Sequence, residues 1–213
     1  MSLNPFRRLP DPWRKAVDWL VTLGLAIGFV LAFEAEVARP YRIPSASMEH
    51  TLHCARPAAG CEASTSDRVL VNRLAYVFGS PQRGQIVVFK APPRANVCGG
   101  RDAGTTFVKR LIGLPGETVR EDESGSLWVR RPGAATWTKL REPYVSAQTR
   151  REDTNYLGRT WRVPKSEYFM VGDNRPDSCD SRRWGSVPRG NLIGPVIFTY
   201  WPLGRASYHS GGW

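Results

Sequence analysis

With 213 residues the chain can form one medium-sized domain and a short appendage. Its 41% hydrophobic and 23% charged residues are those of a globular protein, and 20 Gly and 17 Pro favour a turn-rich β body over a helical one. The net charge of +11 suits an anionic membrane surface, but the basic residues are scattered and match no nucleic-acid-binding module, so nucleic acid is not an expected partner.

Arg7, Arg8, Arg14 and Lys15 precede a run from Ala16 to Phe33 whose only charge is Asp18. Such a run approaches the roughly 20 apolar residues that span a bilayer. Positive residues before it, with Glu34 and Glu36 after it, place the N-terminus in the cytoplasm. The expected organisation is a cytoplasmic 1–15, a transmembrane anchor over 16–36 and an extracytoplasmic body over 37–213. A cleaved signal peptide would have an apolar core of about 7–15 residues and a small-x-small cleavage site. This run is longer, and Glu34-Ala35-Glu36-Val37-Ala38 offers no such site. A body outside the cytoplasm permits disulfides. Cys54 and Cys61 close a short loop and are the natural pair; four cysteines allow three connectivities, so the partner of Cys98 or Cys179 stays open. No CxxC pair or histidine cluster at ligand spacing suggests zinc.

Short strand patterns follow. Arg68 to Leu74, Gln85 to Lys90 and Thr106 to Ile112 read as strands, the last stopped by Gly113-Leu114-Pro115-Gly116. Leu127 to Arg130 and Ala135 to Thr138 flank Pro132-Gly133 as a hairpin; Val145 to Arg159 is polar and reads as a long surface loop. Tyr168 to Val171 and Val196 to Trp201 complete an antiparallel set.

Three stretches could carry chemistry. In Pro44-Ser45-Ala46-Ser47-Met48 a serine hydroxyl is a weak nucleophile until a base takes its proton. The histidines are His50, His53 and His209; His50 lies only three residues after Ser47, and neither it nor His53 comes with an orienting carboxylate motif. In Thr106 to Ile112, strand alternation puts Lys109 on one face between Phe107 and Leu111. Burial there disfavours the ammonium form; a pKa lowered from about 10.4 to about 7–8 corresponds to roughly 4 kcal/mol. The neutral amine could then deprotonate Ser47, which no arginine could do. The third stretch, Gly172 to Gly185, follows an apolar strand with dense small, acidic and basic residues, either a solvated turn or a loop buttressing a site.

Taken together, these stretches resemble the bacterial type I signal peptidases. Pro44 to Met48 is similar to the nucleophile box, and Arg83 to Phe89 to a structural strand box. Val108-Lys109-Arg110 with Gly113 to Glu117 is similar to the lysine box. Gly172-Asp173-Asn174-Arg175 with Ser178, Asp180, Ser181, Arg182 and Trp184-Gly185 is similar to the last. The four occur in family order. The resemblance implies a mainly β fold of two packed antiparallel β-sheet domains behind one N-terminal transmembrane helix, with a variable insert at about 118–167. It implies a membrane-bound serine endopeptidase that removes signal peptides from secretory preproteins after small-x-small motifs. Ser47 is then the nucleophile and Lys109 the general base. Ser45 assists the oxyanion hole, Ser178 hydrogen-bonds the lysine, Asp180 and Arg182 form a supporting ion pair, and Asp173 shapes the loop. Ile43, Pro44, Met48, Phe107 and Val108 line small-residue pockets, and Met170 shields Lys109 from water. No metal or other cofactor is implied; membrane lipids and the secretion translocon are the further partners. This sequence departs from the family pattern at His50, where Pro is usual, at Gln85 and Glu117, where Asp is usual, and at Cys179, a position usually small. The competing readings are an inactive membrane-tethered relative acting as a binding module, a repressor-type Ser-Lys protease, and a basic lipid- or wall-binding β protein.

Overall fold

The computed structural model describes residues 11–98, 104–209 and 211, and the chain divides into two compact units after Arg39. In the first, helix α1 runs from Asp11 to Glu36 where the anchor was expected. Its apolar side chains are turned outward: Trp19, Leu25 and Phe29 are more than 70% exposed. Among the described residues, however, no helix is long and apolar enough to cross a membrane. The segment expected over 16–36 as a transmembrane anchor is thus helical, and its stretch Ala16 to Phe33 carries one charge, Asp18, but a membrane span is not shown.

Beyond α1 the chain is built mainly from strands: β1 (Ala38–Arg42), β2 (Arg68–Asn72), β3 (Ile86–Lys90), β4 (Thr106–Gly113), β5 (Thr118–Glu121) and β6 (Leu127–Arg130). There follow β7 (Thr138–Lys139), β8 (Thr160–Arg162), β9 (Glu167–Val171), β10 (Val187–Pro188), β11 (Leu192–Trp201) and β12 (Ser207–Tyr208). Among the described residues three short α-helices punctuate them, α2 (Ala75–Phe78), α3 (Ala147–Glu152) and α4 (Ser181–Trp184). Eight strands form one sheet in the order β1-β2-β11-β3-β4-β9-β10, with β12 also on β11; β7-β6-β5-β8 form a second. The pairings among β2 to β12 are antiparallel.

Strand β3 shows why the larger sheet is covered on both faces. Ile86 and Val88 enter a cluster with Met48, Leu52, Val69 and Val71, whereas Val87 and Phe89 enter another with Leu111, Met170 and Trp184. Alternation sends successive side chains to opposite faces, and each fully buried aliphatic or aromatic side chain contributes about 1.5–3 kcal/mol. A third cluster joins the sheets: Ile112, Phe169 and Val171 from the larger pack with Val119, Leu127 and Val129 from the smaller. The two antiparallel sheets thus share a core and lie within one compact unit, Pro40–Trp213, rather than forming separate domains.

Two local expectations need correcting. The hairpin strand expected at Ala135 to Thr138 pairs instead at Thr138 and Lys139, opposite Val129 and Trp128, so the loop around Pro132-Gly133 is longer. The polar stretch from Val145 to Arg159 contains α3, started by Ser146, whose hydroxyl accepts a hydrogen bond from Thr149 N.

Candidate active site

Ser47 sits in a single 3-10 turn, Ala46–Met48, between β1 and β2. Ala46 and Met48 point into the core and hold the turn; Ser47 itself is 7% exposed. The loop after β9 grips the turn from outside. Asn174 donates its backbone N–H to Ser47 O at 3.2 Å and its side-chain amide to Ala46 O at 3.1 Å. Gly172 packs so closely that a Cβ there would lie 2.5 Å from Ser47 O and 2.2 Å from Ser178 Oγ.

Lys109 lies in the middle of β4, paired with Val87 of β3, and is 5% exposed. Its neighbours on the same face, Phe107 and Leu111, pack in the cluster that holds Met170; Nζ stands 5.5 Å from the centre of the Phe107 ring. Lys109 Nζ and Ser47 Oγ are in direct hydrogen-bond contact, across 62 residues of sequence. Burial lowers the lysine pKa to about 8, against the opposing pull of Asp180 and then Asp173.

The pair lines a cleft of about 370 Å³, and Ile43, Pro44, Met48, Phe107 and Val108 line it too. Ser45 is on the rim with Oγ 3.5 Å from Ser47 Oγ. A nucleophile, a dry amine and a shallow, largely apolar groove are what acyl transfer to an extended peptide needs.

A family profile described as signal peptidase, peptidase S26, matches residues 16–201. The chain belongs to that family. It is 36% identical to the probable signal peptidase I-1 of a Synechocystis species, over 92% of this chain and 88% of the relative. It is 33% identical to the signal peptidase I of Leptolyngbya laminosa, over 95% and 88%, and 34% identical to that of Mycobacterium tuberculosis, over 92% and 76%. Among solved structures, a signal peptidase I from Enterococcus faecalis V583 is 31% identical, covering 55% of this chain and 97% of its own, with a TM-score of 0.41.

Around the candidate dyad of this S26 peptidase lies a buried charge network that individual motifs do not reveal. Asp173 receives Arg110 Nε at 2.8 Å and Nη2 at 2.5 Å, plus Thr51 Oγ1 at 2.6 Å. Arg110 also donates to Gly84 O and stacks 3.7 Å from the Tyr144 ring. The residue next to Lys109 therefore clamps the loop that clamps Ser47. Asp180 is fully buried; it accepts from Gly172 N at 3.1 Å and pairs with Arg182 at 2.9 and 3.0 Å. Burial alone would raise the Asp180 carboxyl, but the adjacent guanidinium outweighs it and holds the pKa below the usual range. Arg182 also meets Glu121 and Asp153, and Arg175 meets Glu142, all buried. Ser178 Oγ is buried beside the Asp180 carboxylate, which its hydroxyl helps to keep ionised; its expected bond to Lys109 is not formed.

Disulfides join Cys54 to Cys61 and Cys98 to Cys179. Glu49, His50 and Glu62 each place one potential metal-ligand atom within 4.8 Å of the others. Glu49 is already engaged, accepting Cys54 N at 3.0 Å and meeting His53 at 2.5 Å, and no chemistry is routed through this group. Sequence reasoning did not single out Asn174, Arg110, Gly172 or Glu142. The first three lie within the quoted motifs, but their partners are distant in sequence.

Proposed function

We propose that the chain is a serine endopeptidase that removes N-terminal signal peptides from secretory preproteins after small-x-small motifs. The observation that carries this reading is the contact between a desolvated Lys109 amine and Ser47 Oγ in the wall of a largely apolar cleft. In its neutral form Lys109 takes the Ser47 proton as Oγ attacks the scissile carbonyl. The Ser47 N–H and the Ser45 hydroxyl receive the oxyanion. Collapse breaks the peptide bond, and the lysine ammonium returns its proton to the departing amine. Lys109 then deprotonates water, which hydrolyses the acyl-enzyme and restores Ser47. Ser178, buried beside Asp180, is the group that would orient the neutral amine. Asp173, Asp180 and Arg182 hold the loop behind it. Ile43, Pro44, Met48, Phe107 and Val108 accept the small side chains that precede the cut.

The outward apolar surface of α1, together with the single charge between Ala16 and Phe33, supports anchoring in the bilayer. On this reading the N-terminus is cytoplasmic, the catalytic unit faces outward, and preproteins arrive from the translocon. An inactive tethered relative would have no use for a lysine kept dry beside a serine.

The test is cleavage of a preprotein by the full-length chain in detergent and in lipid vesicles. Ser47→Ala and Lys109→Arg should each abolish turnover with the far-UV spectrum unchanged. Turnover surviving in either variant would exclude the dyad, and an inactive wild type in vesicles would favour the binding module. Protease protection in inverted vesicles checks the orientation.

A further inference from the structure

Cys179 stands between Ser178 and Asp180, and its disulfide partner Cys98 comes from the other side of β4, 81 residues away. Both cysteines line the cleft that holds Ser47 and Lys109. Cys98 ends the 3-10 segment Pro93–Cys98, whose Ala95 is fully buried beside Phe89 and Trp184. The segment is thus seated on the rigid core under β3. From Cys179 a short chain of contacts leads to the nucleophile. Asp180 accepts the Gly172 N–H, and Gly172 lies against Ser47 O. The second disulfide differs: Cys54 is 0% and Cys61 8% exposed, whereas Cys98 and Cys179 are half-buried and open to the cleft.

Resting on the reading of Ser47 and Lys109 as the dyad, we propose that the Cys98–Cys179 disulfide is a positioning element for it. It pins the loop bearing Ser178 and Asp180 to the cleft wall, and its cleavage slackens the site and admits water to Lys109. A dithiol reductant entering the cleft supplies two electrons and two protons, leaving two protein thiols and its own disulfide. The Cys54–Cys61 bond, shielded by burial, is spared at reductant levels that open the first. The enzyme accordingly works at full rate only where the surroundings are oxidising, which fits a catalytic unit outside the cytoplasm.

The test uses the full-length chain in detergent, as the Cys98→Ser/Cys179→Ser double variant and as wild type treated with graded dithiothreitol. Alkylation mapping identifies the bond opened. Two readouts are taken: kcat/KM for a preprotein across pH, and the titration midpoint of Lys109 by NMR of lysine-labelled protein, which needs no turnover. The expectation is a fall of about tenfold or more in kcat/KM, carried mainly by kcat, and a Lys109 midpoint moved upward toward that of a solvated lysine. Reoxidation of the reduced wild type restores both. A double variant that folds and keeps the wild-type midpoint and kcat/KM overturns the proposal; if that variant does not fold, unchanged values in reduced wild type do the same. An oxidised wild type whose midpoint responds but which cuts no preprotein would instead overturn the peptidase reading and leave the positioning role standing.

Discussion

At a pKa of about 8, Lys109 is neutral in only about a tenth of molecules at pH 7 and in about nine-tenths at pH 9. Since the neutral amine is the base, kcat/KM should climb about tenfold between pH 6 and 7 and level off near pH 9. A stopped-time cleavage series across this range checks it; a profile rising only above pH 10 would place the lysine in water. The same shift has a stability consequence. The folded pKa lies below the value of 10.5 for a free lysine, so the unfolded chain binds the proton more tightly. Below pH 8 the buried ammonium costs its full penalty, on the order of 3 kcal/mol, and that penalty fades as pH rises to about 10.5. Lys109→Met should therefore be inactive yet more stable than wild type at pH 7, with the difference closing by pH 10.5. Urea unfolding at the two pH values measures this.

Between elements, the decisive contact is the loop after β9 against the 3-10 turn of Ser47. Gly172→Ala would drive its new Cβ into Ser47 O and Ser178 Oγ. Backbone cannot yield cheaply there, so the nucleophile must move, and misplacement on the ångström scale costs about a hundredfold in rate. The expected outcome is a kcat loss of that order with secondary structure intact; unchanged kcat would mean the loop gives way without disturbing the turn. This contact also marks where sequence reading stops. Alternation along Thr106 to Ile112 was enough to bury Lys109 between Phe107 and Leu111, and the run from Gln85 to Lys90 was legible because both its faces are apolar. β5 and β8 were missed, since Thr118–Glu121 and Thr160–Arg162 are short and mostly polar and owe their strand form to neighbours in the sheet, β6 and β8 for the first and β5 for the second. α3 is too short to display a helical period. β11 was read only from Val196 onward because Pro195 removes a backbone donor; the strand runs through it with register shifts on both sides. Asn174 was visible within its motif, but nothing local announces a partner 128 residues earlier.

Across the whole molecule the buried charges matter as a set. Arg182 stands among Asp180, Asp153 and Glu121, and burial raises the Glu121 carboxyl despite that guanidinium. Removing the Arg182 guanidinium would leave these carboxylates without their direct partner in the core, and breaking such a buried pair costs about 3–5 kcal/mol. Arg182→Met should show a loss of that size in urea unfolding at pH 7, partly regained in mild acid as the carboxylates take up protons. A loss below about 1 kcal/mol would mean water already reaches them.

The place of β11 in the larger sheet has a bearing on when the molecule becomes competent. β2, which follows the serine turn, pairs with β11 and not with β3, while the lysine rides on β4 beside β3. Until the ribosome has produced residues 192–201, no strand ladder bridges the two halves of the dyad. A nascent polypeptide halted before Leu192 would hold both reactive groups yet lack the ladder that joins them, so the growing chain is expected to stay latent until β11 has been made.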